Sequence, residues 1–356
     1  MGTFKAVAIL QTDAALVDEF VAFAQKVRAP DYRVGVAAPE QTRRLLAWGF
    51  AHGSTFWLVR NSRDEALLRL SLLVTPADPA VATVGFFEAD LAHADLSAAV
   101  DFLKDFLGFW GRKEGVRKLV GPVDINTWFN YRFSVPGKKF FPRYKWEPTT
   151  PPEYIDAFRK LGFSDFAYYR TVFFPHLRLG SFCLGTGAMK RSYRNVLARG
   201  FTMRPFDAER FLSHEVPACY EISQEVFKDA LLFEPIDLET FRGLYAVALR
   251  AYDFTPSSLL VSPEGEIAGF IFAFYDGDFL VIKSIAVTPK YQGQNLSSGL
   301  IYNAVKQSFR LGKKGTISAL VRSGIASEGI EKNASKTTWL TWKHNYLLLN
   351  KDVGNE

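Results

Sequence analysis

Cysteine is nearly missing from this chain. Only Cys183 and Cys219 occur in 356 residues, and their spacing supports neither a disulfide framework nor a zinc site, so a reducing cytoplasm is the expected setting. Long apolar runs are missing too. The N-terminal MGTFKAVAILQTD has too short an apolar run for a signal peptide, and no segment approaches the roughly 20 residues of a membrane span. A myristoylation signal is excluded by Ala6, which stands where Ser or Thr is required. Histidine is scarce, at five residues. No Ser–His–Asp pattern and no H-x-x-x-H pair can be drawn from them, so neither hydrolase nor metal chemistry is indicated and no metal ligand is assigned. Charge of one sign is not concentrated either. The net charge of +6 suits anionic ligands but falls short of a nucleic-acid signature. The densest basic run, Lys138, Lys139, Arg143 and Lys145, is interleaved with Phe140, Phe141 and Tyr144 and reads as a solvated turn.

Aromatic residues, in contrast, are plentiful: 32 Phe, 14 Tyr and 7 Trp, enough for large apolar cores or a pocket lined by rings. The length allows two domains. Apolar spacing predicts strands at Phe4–Leu10, Thr55–Arg60, Ala66–Val74, Val81–Glu88 and Val116–Val123, with helices at Ala14–Val27 and from Asp95 to about Gly115. A second set follows a glycine-bearing, basic stretch at 180–200, where Arg191, Arg194 and Arg199 read as a solvated helix face. That set includes a hairpin around PEGE, a strand at Phe279–Val287, a helix at Ser297–Leu311, a strand at Gly315–Val321 and closing strands at Trp339–Leu349. Each half thus runs through helices and antiparallel strands into a strand–helix–strand unit. The class expected is α+β, with residues 1–179 as one domain, 180–200 as linker and 201–356 as the second.

One stretch carries chemistry, the segment KSIAVTPKYQGQNLSSGLIYNAVKQSF from Lys283 to Phe309. An apolar strand passes through a short loop into an amphipathic helix, so unpaired N–H groups and the positive end of the helix dipole converge on one spot. Backbone N–H groups from Gln292 to Ser298 can satisfy a diphosphate, Lys290 adds long-range attraction, and Gly293 permits close backbone approach. In the first half, the matching strand–loop–helix VGFFEADLAHADLSAAVDFL is acidic at Glu88, Asp90 and Asp95, and like charges there repel a diphosphate.

The pattern resembles the GNAT superfamily of acyl-coenzyme A N-acyltransferases, best over residues 200 to 353. That family follows its central strand with a basic residue or Gln, two residues, Gly, one residue, then Gly or Ala. Here the places hold Gln292, Gly293, Gln294, Asn295, Leu296 and Ser297, with Asn295 and Ser297 substituting the two small residues. The segment GPVDINTWFNYRF further resembles a variant seen in tandem GNAT-like proteins. The resemblance implies two tandem domains, each a mixed, mostly antiparallel sheet flanked by helices. It implies an acyl-coenzyme A co-substrate whose pantetheine arm lies on Ser284, Ile285, Ala286 and Val287 and whose diphosphate lies on Gln292, Gly293, Gln294, Asn295, Leu296, Ser297 and Ser298. The first half is expected to bind none.

Acyl transfer to an amine needs a base to keep the nitrogen neutral and a donor for the departing thiolate. The central strand offers Lys283 where an acid might stand, and SGIASEGIEKN has no Tyr. Ser327 is the candidate near the thioester sulfur and Glu328 the candidate base, each against the alternative of a helix cap or surface residue. Glu234, Glu221, His344 and Tyr346 are further candidates with structural explanations of their own. The expected function is an N-acyltransferase moving an acyl group from acyl-coenzyme A to a small-molecule or peptide amine bound between the halves. The alternative is a catalytically silent GNAT-like protein that binds a ligand or partner.

Overall fold

Strand sequences such as ALLRLSLLV and IAGFIFAFYD are apolar at successive positions, so both faces must be covered, and helices have to lie on each side of the sheet. The computed structural model describes residues 3–137, 143–176, 179–207, 209–324 and 342–354. In chain order the first elements are β1 (Lys5–Ile9), α1 (Ala14–Val27), α2 (Pro30–Arg33), α3 (Pro39–Ala51), β2 (Thr55–Arg60), β3 (Ala66–Val74) and β4 (Val81–Ala89). Then come α4 (Leu96–Lys113), β5 (Lys118–Gly121), β6 (Phe133–Ser134), α5 (Glu153–Lys160), β7 (Ser164–Pro175), α6 (Leu179–Ala198) and β8 (Thr202–Pro205). A π-helical turn at Phe211–Glu215 leads into α7 (Val216–Phe227), followed by α8 (Leu238–Ala251), β9 (Ser258–Val261), β10 (Ile267–Asp276) and β11 (Phe279–Val287). A 3-10 turn at Pro289–Tyr291 leads into α9 (Leu296–Arg310), β12 (Gly315–Arg322) and β13 (Trp342–Asp352).

The chain forms two compact units, one of Met1–Pro136, Trp146–Tyr168 and Asn345–Glu356, the other of Gly137–Lys145 and Tyr169–His344. In the first unit the strand order is β1-β2-β3-β4-β5-β13, antiparallel except for the parallel pair β4–β5 that α4 connects. In the second it is β8-β9-β10-β11-β12-β7, antiparallel except for β11–β12, connected by α9. The expected mostly antiparallel repeat with one β–α–β unit at each centre is therefore present. Its partition along the chain differs from a simple 1–179 and 201–356 split. The last strand of the chain closes the first unit, and Tyr169–Pro175 of β7 closes the second. Residues 180–200, expected to be a linker, are almost wholly helix α6. Its C-terminal half packs on α9, with Tyr193 5.3 Å from Tyr302.

Each unit has an apolar core on both sheet faces. In the first, Leu103 and Leu107 of α4 and Phe158 of α5 meet Leu68 and Leu70, while Phe20, Phe23 and Leu46 meet Phe56 and Phe86 on the other face. In the second, Leu296, Leu300 and Ala304 of α9 and Val196 of α6 pack on Ile271, Ala273 and Leu280. The opposite face holds rings: Tyr245 lies 4.4 Å from Phe272 and 4.7 Å from Phe241, and Phe254 lies 4.5 Å from Phe272. The abundant aromatics thus serve as core.

Candidate functional site

In the second unit β11 pairs with β10 along its whole length, from Phe279 opposite Asp276 to Val287 opposite Gly269. The register shifts by one residue at Lys283, which stands as the extra residue of a bulge between Ile282 and Ser284. Such an insertion bends the strand and ends pairing on its other side. Accordingly β11 pairs with β12 only over Phe279–Ile282 against Gly315–Ser318. On its other side β12 pairs with β7 from Gly315 onward, with a register shift between Ser318 and Val321, where Leu320 takes φ +58° and donates its N–H to Thr171 Oγ1 at 3.1 Å. The edge of Ser284–Val287 facing away from β10 is therefore left without a strand partner among the described residues, and an extended ligand can pair with its backbone.

That edge leads directly into the loop before α9. Gly293 has φ +76° and Asn295 φ +58°, and only residues that tolerate the left-handed region can hold such a turn. Asn meets this requirement at the position where glycine was expected, so the substitution preserves the loop's path. The N-terminus of the 15-residue α9 has no side-chain cap, so its leading N–H groups remain available to an anion. The Gln292 side chain instead ties the loop to the strand, donating from Nε2 to Val287 O at 2.9 Å. Leu296 is buried in the α9 core, so its contribution to a bound group comes from its backbone. Ser284, Ile285, Ala286, Val287 and Gln292 to Ser298 are thus brought into one continuous strand–loop–helix path.

Lys290 is engaged by the hairpin. Its Nζ lies 2.6 Å from Glu266 Oε2, and Tyr291 OH lies 3.0 Å from the same carboxylate oxygen. The hydrogen bond to Glu266 raises the Lys290 pKa. Arg199 also lies beside the loop, and its guanidinium donates to Gln294 Oε1. Together with Ser192, Asn195, Ala198 and Asn295 these two residues line a cavity of about 270 Å³. Arg199 is exposed, in keeping with the solvated helix face expected of it. It is brought beside the loop by the packing of α6 on α9 at Gly299, where an added Cβ would meet Val196 Cγ2 at 3.0 Å.

The catalytic candidates Ser327 and Glu328 lie outside the described residues. Glu221 is exposed on α7, and Glu234 is buried in the turn after it. Tyr346 is fully buried and its hydroxyl donates to Glu147, so it stabilises the first unit and has no proton to deliver to solvent. Among the described residues no group of His, Cys, Asp and Glu can hold a metal ion, and no helix is long and apolar enough to cross a membrane.

The same position in the first unit is filled by protein. Strand β4 also carries a bulge, with Phe86 at φ +48°, but the segment after β5 turns back against it. Val123 N donates to Val84 O at 2.9 Å, Phe86 N donates to Asp124 Oδ1 at 2.5 Å, and Asp124 N donates to Asn130 O at 2.8 Å. A Cβ on Gly85 would lie 2.1 Å from Val123 O. The segment GPVDINTWFNYRF is thus a hairpin that plugs the opening. Glu88 is not a solvated loop acid. It is 4% exposed and accepts from Arg28 Nε at 2.8 Å, Arg28 Nη2 at 2.7 Å and Tyr154 OH at 2.9 Å. Arg69 Nη2 stands 3.6 Å from Glu88 as well. Burial alone would lower the Arg28 pKa, but Glu88 more than offsets it and leaves it raised. Burial pushes the Asp124 carboxyl up to about 6, against the pull of the Phe86 N–H and Arg69.

Residues 216–324, which contain β11, the loop and α9, match the model of the Acetyltransferase (GNAT) family. No curated protein matches the chain. Among solved structures the chain is similar to a tandem GNAT protein from the clavulanic acid biosynthesis pathway at 12% identity and TM-score 0.51, covering 99% of this chain and 100% of that one. It is similar to a GCN5-related N-acetyltransferase from Kribbella flavida at 11% identity and TM-score 0.52, covering 99% of this chain and 72% of that one. It is also similar to a probable N-acyltransferase from Enterococcus faecalis V583 at 10% identity and TM-score 0.56, covering 99% and 73%. At these identities the solved structures share the fold with this chain.

Proposed function

From a second unit that carries a GNAT segment within a tandem GNAT-like fold, we propose that the protein is an N-acyltransferase that takes its acyl group from acyl-coenzyme A and passes it to an amine. The observation that carries this reading is the parting of β11 from β12 at the Lys283 bulge, continuous with an uncapped helix N-terminus. A pantetheine arm carries amide groups that pair with an exposed strand edge, and a diphosphate is the anion that a helix N-terminus with two left-handed residues accommodates. Ser284–Val287 hold the arm and Gln292–Ser298 hold the diphosphate. The thioester then lies toward the bulge, where a neutral amine attacks its carbonyl carbon. A C–N bond forms as the C–S bond breaks, the amine proton passes to a base, and the thiolate takes up a proton. Ser327 and Glu328, which follow β12 in sequence, are the first positions to substitute in search of the proton donor and the base.

Acyl-coenzyme A binds one site per chain in this reading. The first unit has a hairpin where a donor would lie, so the obstacle there is steric, and the acidic side chain of Glu88 is neutralised by Arg28. The second reading, a silent GNAT-like binding protein, is separated from the first by two measurements on one sample. Coenzyme A at 100 times its Kd stabilises the native protein by about 2.7 kcal/mol, visible as a raised melting temperature. Acetyl-coenzyme A with a panel of primary amines then releases free thiol faster than without protein. A stabilised protein that releases no thiol with any amine supports the silent reading, and absence of stabilisation removes the enzyme reading and leaves a silent protein with another ligand or partner.

A further inference from the structure

The loop at α9 is not the whole of the phosphate site. Beside it, the C-terminal end of α6 flanks a half-open cavity of about 270 Å³ lined by Ser192, Asn195, Ala198, Arg199, Gln294 and Asn295. At roughly 30 Å³ per water molecule this has room for a phosphate group with its oxygens. Arg199 is held over the Phe201 ring at 5.6 Å, and Phe201 is itself buried against Tyr291 at 5.5 Å. The guanidinium therefore has a fixed base on which to pivot. Its partner, Gln294 Oε1, is neutral, and no carboxylate pairs with Arg199 among the described residues. Lys290, a further cation near the loop, is paired with Glu266. Arg199 is thus a cation held by a single amide at the edge of a polar cavity, and a phosphate is a stronger, charge-assisted and bidentate partner for it than an amide oxygen.

We propose that Arg199, delivered by α6, is a clamp on a phosphate of the acyl donor, exchanging its amide partner on Gln294 for a phosphate oxygen when the donor enters. The proposal rests on the donor reading above and adds to it an element that lies before the GNAT-matching residues 216–324. The donor's diphosphate and its ribose 3′-phosphate offer the same chemistry to the clamp, and the choice between them is left to the assay. Arg199 binds substrate here and takes no part in bond making or breaking.

The experiment is calorimetric titration of coenzyme A into the full-length wild type, Arg199→Ala, and Arg194→Ala as a control on the exposed face of the same helix. Arg199→Ala is expected to weaken coenzyme A about 10-fold, the size of one charge-assisted contact at a solvated site, while Arg194→Ala stays within about 2-fold. The melting temperature without ligand is expected to be equal in all three, since Arg199 is exposed. A weakening that persists with dephospho-coenzyme A assigns the clamp to the diphosphate, and one that disappears assigns it to the 3′-phosphate. Wild type that binds coenzyme A with Arg199→Ala binding equally well overturns the clamp and leaves the donor reading standing. Wild type that binds no coenzyme A overturns both.

Discussion

Asp124 offers a test of the hairpin plug that needs no ligand. Its carboxylate accepts the Phe86 N–H at 2.5 Å inside the first unit, with Arg69, Glu88 and Arg28 as the charged groups around it. Burial raises its pKa from the ordinary 3.8 to about 6, so the folded state binds a proton more readily than the unfolded chain. The sign follows: this group's contribution to stability is full below pH 3.8 and is lost as the pH rises through about 6. The interval corresponds to about 3 kcal/mol at 1.36 kcal/mol per pH unit. Replacing Asp124 by Asn keeps an oxygen for the Phe86 N–H and removes the titration. In urea unfolding followed by tryptophan fluorescence, the stability of Asp124→Asn relative to wild type is expected to rise by about 3 kcal/mol between pH 3 and pH 7. A difference independent of pH, or one favouring wild type at pH 7, would refute the reasoning and show that the ionised carboxylate is stabilised by Arg69.

Three further outcomes are expected. Arg28→Ala leaves Glu88 buried without its bidentate partner and should destabilise the protein by about 3–5 kcal/mol, with part of the loss recovered in Arg28→Ala/Glu88→Gln; both are read by urea unfolding. Gly85→Ala drives a Cβ against Val123 O and should cost about 3 kcal/mol, the upper range of overpacking, because the obstacle is backbone. Asn295→Gly should retain coenzyme A affinity and Asn295→Val lose it, since a β-branched residue at φ +58° costs about 1–2 kcal/mol or more; equilibrium titration with coenzyme A separates the two.

Local periodicity made much of the fold readable. The bounds expected for α1, β2, β3 and β11 are those observed, and α9 begins within one residue of its expected start. Helix α3 was not read: PEQTRRLLAWGFA is poor in apolar residues, and only its Leu46 face is buried. The features that escaped are long-range. Nothing local shows that β13 closes the first unit, that Glu88 meets Arg28 sixty residues away, or that GPVDINTWFNYRF folds back on β4. The turn before α9 was legible at Gly293, because a left-handed residue before a helix is a local feature. The pairing of Lys290 with the hairpin's Glu266 and the placing of Arg199 beside the loop by a helix expected to be linker are long-range features as well.

With two GNAT-like units in the chain, the proposed function places the acyl donor at one strand-and-loop site, that of the second unit. Calorimetric titration of acetyl-coenzyme A into the intact protein is expected to show saturable binding at one donor per chain. Two donors per chain, or no binding at saturating concentration, would overturn that assignment.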